Sequence, residues 1–156
     1  MDEGSAPLAT ELKQVGWDVR SPWELVNTPV PYESAIPVLL QHLDGPYLDR
    51  NREGIGRALA VKEAAYAWPI LRAAYEKEPP DTGMKTGLAV ALSAIAKPDR
   101  RGELIELVSN PVHGRTRIFF VDNLRRSRSP EAKATLDALA DDPDLGSDIA
   151  RYKSKR

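Results

Sequence analysis

The sequence predicts an all-α protein, an α-solenoid of repeated helix pairs behind an N-terminal helical cap. Three observations carry this expectation. Apolar residues recur at i, i+3, i+4 and i+7, the helical period, and strand-type alternation is almost absent. Prolines and Asp, Gly and Asn clusters cut the chain into segments of roughly 8–15 residues. Two apolar series then repeat together. Ile55 and Leu59, Leu88 and Leu92, and Phe120 and Leu124 are each spaced i, i+4, with successive pairs about 32–33 residues apart. Leu39, Leu71, Leu104 and Leu136 run between them at the same period. Two interleaved series with one period define a two-helix unit, whose first helix is termed A and second B.

Residues 1–32 carry no repeat and form the cap. Leu8–Val15 and Pro22–Val26 read as two short helices. Ser21-Pro22-Trp23-Glu24 has the form of a capping box, with Ser at the N-cap, Pro at the first helical position and Glu at the third. Trp17 and Trp23 are expected to cover the open end of the first unit, and Asn27-Thr28-Pro29-Val30-Pro31 is the linker. Residues 33–156 are then one continuous run of repeats. Ser34–Leu40 resembles Tyr66–Arg72, and Pro37 and Pro69 fall in the first turns of A helices, where a missing N–H does little harm. Stops lie at Asp44-Gly45-Pro46, Glu78-Pro79-Pro80, Lys97-Pro98-Asp99, Asn110-Pro111 and Asp142-Pro143-Asp144. Asp81 is placed as an N-cap of the second B helix, and Ser129-Pro130-Glu131 opens the fourth A helix. That helix runs around Glu131–Ala140. Its B partner, around Asp148–Lys153, is short and charged, as a terminal unit facing water should be. Glycine inside a helix costs about 1 kcal/mol relative to alanine. Gly56 and Gly87, among the small residues Ala58, Ala60, Ala89 and Ala91, therefore point to close helix approach. Residues 1–6 and 154–156 are expected to fray.

A cation precedes the last leucine of each B helix by the same seven positions: Arg52 before Leu59, Lys85 before Leu92, Arg117 before Leu124. An acid sits upstream in two cases, Asp49 and Asp81, and His113-Gly114 occupies the corresponding turn of the third unit. An acid, a cation and then a small, Ala-Leu-rich helix is a pattern that resembles the HEAT-repeat family. The resemblance covers about residues 33–153, as three full units and a weaker fourth. It implies a right-handed solenoid whose B helices line the concave side, a binding surface by geometry. It also implies that the cation series is a ladder fastening the repeats, each cation paired with an Asp of its own or a neighbouring turn. A basic stripe along the groove is the competing reading.

Composition narrows the function classes. Lys+Arg is 22 and Asp+Glu is 23, for a net charge of −1, which argues against a surface given over to nucleic acid or membrane. There is no cysteine, so disulfides, thiolate nucleophiles and Cys-containing zinc sites are excluded. With only two histidines, His42 and His113, a three-histidine metal site is excluded as well. No Gly-rich phosphate loop, G-x-S-x-G or H-E-x-x-H is present. No catalytic residue, cofactor or metal is therefore expected. No apolar run approaches the roughly 20 residues of a membrane span, and the acidic start Met1-Asp2-Glu3-Gly4 lacks a leader pattern, which points to the cytoplasm. Richness in Ala, Arg, Asp and Pro suits a bacterial, high-GC genome.

The polar residues that stand out are mostly basic. Arg115, Arg117, Arg125, Arg126 and Arg128 flank the third B helix, with Asp122 as the one acid, and Arg151, Lys153, Lys155 and Arg156 close the chain. Cations at a helix C-terminus suit its dipole. Arg115 and Arg117, at the N-terminal end, need a partner, and Asp99, Glu103 or a bound anion are candidates. Glu53 and Arg57 form an i, i+4 pair worth about 0.2–0.5 kcal/mol. The candidate partner-facing residues are Arg52, Glu53, Lys85, Arg115, Arg117, Arg125, Arg126 and Arg128. The expected function is a non-enzymatic protein-binding module on the B-helix face: an adaptor, an inhibitor or a toxin-immunity-like protein, as the small bacterial HEAT proteins it resembles imply. The partner would be another protein, such as a toxin or an enzyme. The alternative is nucleic-acid binding through the Arg-rich third unit, as in HEAT-like DNA glycosylases. A bilin-lyase-like role is a third reading, for which no residue supplies the chemistry.

Overall fold

The computed structural model describes residues 6–154, which are helical with no strand among them. Helices α1 (Ala6–Gln14) and α2 (Trp23–Val26) precede the repeats. The A series is α3 (Ile36–Gln41), α5 (Trp68–Lys77), α7 (Arg101–Val108) and α9 (Pro130–Ala138). The B series is α4 (Asp49–Ala58), α6 (Gly83–Ile95), α8 (Ile118–Arg126) and α10 (Gly146–Ser154). Fraying expected at Ala6 and Ser154 is corrected, since these residues begin α1 and end α10. Residues 1–5 and 155–156, with the basic Lys155 and Arg156, lie outside the described residues.

The B helices follow one another in space as they do in sequence: α2 packs on α4, α4 on α6, α6 on α8, and α8 on α10. Each repeated apolar position lies in the core. Ile55, Leu59, Leu88, Leu92, Phe120 and Leu124 are buried, as are Leu39, Leu71, Leu104 and Leu136. The α4–α6 crossing is closest where two glycines meet. A Cβ on Gly56 would stand 2.7 Å from the carbonyl carbon of Gly87, and one on Gly87 would stand 2.6 Å from the Glu53 carbonyl oxygen. Both contacts are too short for a methyl group, so the backbones approach only because neither residue has one.

Helix starts depart from expectation in three places. Thr82, not Asp81, caps α6, its hydroxyl accepting from the Lys85 N–H at 3.1 Å, while Asp81 is exposed. Asp49 of the preceding B helix accepts the Gly83 N–H at 2.8 Å and 2.9 Å, so an acid read as a local partner of Arg52 ties two units together. At Ser21 the hydroxyl makes no cap bond and Pro22 takes the N-cap; only the returning Glu24 carboxylate bonds the Ser21 N–H, at 3.3 Å. At α9 the Ser129 hydroxyl does cap, accepting from the Ala132 N–H at 3.2 Å. The third B helix, read as starting at His113, starts at Ile118 instead. Pro111–Arg117 is a 3₁₀ turn broken at Gly114, whose φ of 68° lies in the region that favours glycine.

The cap sits on the first unit through its tryptophans. Trp23 donates its indole N–H to the Arg50 carbonyl at 2.9 Å, and Trp17 packs edge-on against Tyr32 at 6.0 Å between centroids. His42 links α1 to the end of α3, with Glu11 on one ring nitrogen and the Tyr47 hydroxyl on the other at 2.5 Å. Trp68 is buried in the core.

Candidate functional site

The three aligned cations reach forward rather than outward. Arg52 of α4 meets Glu78, at the turn after α5, in a two-pronged pair of 2.8 Å and 2.9 Å. Arg117, just before α8, meets Asp142 at 3.0 Å and Asp144 at 3.3 Å in the turn after α9. Lys85 of α6 meets His113 Nδ1 at 2.9 Å in the turn after α7. Each cation of one unit therefore fastens the A-to-B turn of the next. Two of them also cap the A helix of their own unit: Lys85 donates to the Tyr75 carbonyl at 2.5 Å and Arg117 to the Val108 carbonyl at 2.8 Å. Cations are stabilising at these negative helix ends.

The middle rung differs chemically from its neighbours. No carboxylate stands at its centre, because the third unit carries His113 where the others carry acids. Lys85 lies 3.7 Å above the Tyr75 ring, and its ammonium is supported by that face and by the Tyr75 carbonyl. Burial pulls Lys85 down to about 8. Burial, and then the neighbouring Lys85, pull His113 down to about 4, so the imidazole is neutral at physiological pH. Burial pushes Tyr75 up to about 12, and its hydroxyl is shared with Thr116 at 2.8 Å. In the first rung the hydrogen bond between them raises Arg52 and lowers Glu78.

These positions correct the partner-facing assignment. Lys85 and Arg117 are 1% and 0% exposed, so neither can touch a partner. Arg52 and Glu53 are engaged by Glu78 and by Arg57, the latter at 2.8 Å. The expected partners of Arg115 and Arg117 are also corrected. Glu103 is taken by Arg72 and Arg100, at 2.7 Å and 2.8 Å, and Arg115 instead lies 3.7 Å from Asp148. The Arg72 and Arg100 guanidiniums beside Glu103 hold its carboxyl well below the usual carboxylate range.

What remains is at the opposite edge, where B helices end and A helices begin. Arg125 and Arg126 share Asp122 at 3.1 Å and 3.2 Å, and Arg125 covers the Tyr152 ring at 4.4 Å. Arg128 is exposed with no carboxylate at ion-pair distance among the described residues. Three clefts follow one another along this edge. The first, of about 230 Å³, is bordered by Tyr66 and Lys97. The second, of about 550 Å³, shares Lys97 with it and adds Arg101, Arg126 and Ser127. The third, of about 690 Å³, shares Arg126 and Ser127, and is floored by Leu124, Leu136 and Ile149 and rimmed by Arg128, Lys133 and Lys153. This row of neighbouring clefts is termed the trough.

Lys97, Arg101 and Lys133 were not among the residues singled out from sequence. A signal for part of this was present: each B-to-A loop carries a cation, at Lys62, Lys97 and Arg128. No group of histidines and acids among the described residues is arranged to hold a metal ion. No protein-family model, curated protein or solved structure matches the chain.

Proposed function

We propose that the chain is a non-enzymatic protein-binding module of the adaptor, inhibitor or toxin-immunity kind. Its frame is a right-handed α-solenoid of about four HEAT-like helix pairs at residues 33–156, behind a helical cap at 1–32. The unbroken succession α4, α6, α8, α10, and rungs that each join one unit to the next, support the solenoid. The observation that carries the binding reading is the trough. An apolar floor and the exposed cations Lys97, Arg128 and Lys133 occur there together, whereas the aligned series Arg52, Lys85 and Arg117 is engaged between units. A few oriented charges around an apolar pocket are what a docking surface needs. Lys85 and His113, the groups whose ionisation would suit a nucleophile or base, line none of these clefts. No described helix is long and apolar enough to cross a membrane, and we place the protein in the bacterial cytoplasm.

The test is a tagged capture from the native cells, with and without nuclease, read by mass spectrometry and by the ratio of absorbance at the nucleic-acid and protein maxima. One dominant protein that survives nuclease is the expected result. Recovered nucleic acid, with prey lost on nuclease treatment, would replace this reading with the second one, favoured by the exposed cations Lys97, Arg128 and Lys133: a nucleic-acid-binding HEAT-like protein.

A further inference from the structure

We infer that the trough holds an extended acidic segment of the partner, with one aliphatic or aromatic side chain of that segment seated in the cleft between α8, α9 and α10. This rests on the protein-binding reading above and names the chemistry of its ligand.

Length, charge and floor each contribute. Packed helices stand about 8–10 Å apart, so clefts spread over three successive units span roughly 20–30 Å. An extended chain rises about 3.3 Å per residue, and about 6–9 residues therefore fill the trough. Lys97 borders both the first and second clefts, and Arg126 and Ser127 border both the second and third, so the three are neighbours along one edge. Lys97, Arg128 and Lys133 are exposed along it, and none has a carboxylate at ion-pair distance among the described residues. The acids in the lining are Asp99, and Asp137 paired to Lys153 at 2.8 Å. Lys97 and Arg128 follow the negative ends of α6 and α8, which favour them, whereas Arg101 and Lys133 stand in the opening turns of α7 and α9 and gain no such support. The charge of Lys97, Arg128 and Lys133 is left for whatever docks.

The apolar floor of Leu124, Leu136 and Ile149 calls for a hydrocarbon side chain between the acids. A strand of nucleic acid fits less well. Base stacking needs open aromatic faces. Tyr152 is covered by Arg125, which leaves Tyr66 as the open ring along the trough among the described residues, and Asp122 offsets only part of the charge of Arg125 and Arg126.

The experiment is a titration of the full chain, followed by amide chemical shifts. Three probes are used: an octapeptide of Glu and Asp with a central Leu-Phe pair, the same peptide with Lys for every acid, and an octamer of uridylate. The acidic peptide should shift amides at Ala96–Arg101, Arg126–Lys133 and Tyr152, and should bind less tightly as salt is added. Arg128→Glu with Lys133→Glu should weaken it about tenfold or more. The neutral pair Arg128→Ala and Lys133→Ala should act in the same direction by less. The inference is overturned if the acidic peptide leaves these amides unmoved, if the Lys peptide or the uridylate binds the trough more tightly, or if the charge-reversed variant binds the acidic peptide unchanged. A captured protein that stays bound to the charge-reversed variant would overturn this inference while leaving the binding-module reading in place. Failure to capture any nuclease-resistant protein would instead remove that reading.

Discussion

Lys85 Nζ stands 2.9 Å from His113 Nδ1, at the place where the rungs on either side set a carboxylate. A neutral imidazole accepts the ammonium N–H through its lone pair. A protonated one would put two cations in contact inside the fold.

The first prediction is a pH dependence of stability. The unfolded His113 takes a proton below its ordinary value of 6.5, but the folded one resists until about 4. The unfolded state therefore binds more protons across that window, and stability falls as pH drops from 6.5 toward 4. Lys85 acts in the same sense at higher pH: its folded form releases a proton from about 8, against 10.5 unfolded, so stability rises with pH between those values. His113→Asn keeps an acceptor without a proton to gain and should flatten the acid window. Denaturant midpoints from pH 4 to 7 measure this, and parallel profiles for the two proteins would refute it.

Arg117→Met should cost about 3–5 kcal/mol, because it strands Asp142 and two buried-side carbonyl acceptors beside a fully covered site. Lys85→Met removes a buried charge that has no carboxylate partner, and should cost about 1 kcal/mol or less. Urea unfolding of the two variants decides the order; equal losses would mean that the two rungs carry the same weight.

The glycines give a paired test. Gly56→Ala or Gly87→Ala forces α4 and α6 apart and should destabilise by about 1–3 kcal/mol, despite the better helix propensity of alanine. Gly102→Ala, in α7 with nothing within 4 Å of the new methyl group, should instead be neutral or stabilise by up to about 1 kcal/mol. Thermal midpoints that move in one direction for all three would contradict the close crossing.

Arg128→Glu with Lys133→Glu should abolish capture of the partner and yet shift folding stability by no more than about 0.5 kcal/mol, since both side chains are exposed and form no ion pair among the described residues. Reversal at Arg117 does both kinds of harm and is uninformative about binding. Comparing circular dichroism melts with capture yields separates the two.

The helical class and its buried positions were legible because burial imposes a period. Leu39, Leu71, Leu104 and Leu136 can share one role only if equivalent helices recur, and spacing alone reveals that. Gly56 and Gly87 were legible for a similar reason, as helix-interior glycines with a cost to explain. The destination of the cations was not. Asp49 sits three residues from Arg52 and reads as its partner, but folding hands it to Gly83 and gives Arg52 to Glu78, 26 positions away. Charge pairs between units carry no local signature, since their spacing depends on turn lengths. The trough was legible only in part: Arg125, Arg126 and Arg128 stood out as a basic run, but Lys97, Arg101 and Lys133 are ordinary surface cations until the fold places them on the same edge.

Because every rung has its donor in one unit and its acceptor in the next, the units are not interchangeable parts. A swap that left Arg117 facing His113 would bury a guanidinium without its carboxylates. Lys85 and His113 work as one element, since exchanging either alone changes what the other must tolerate.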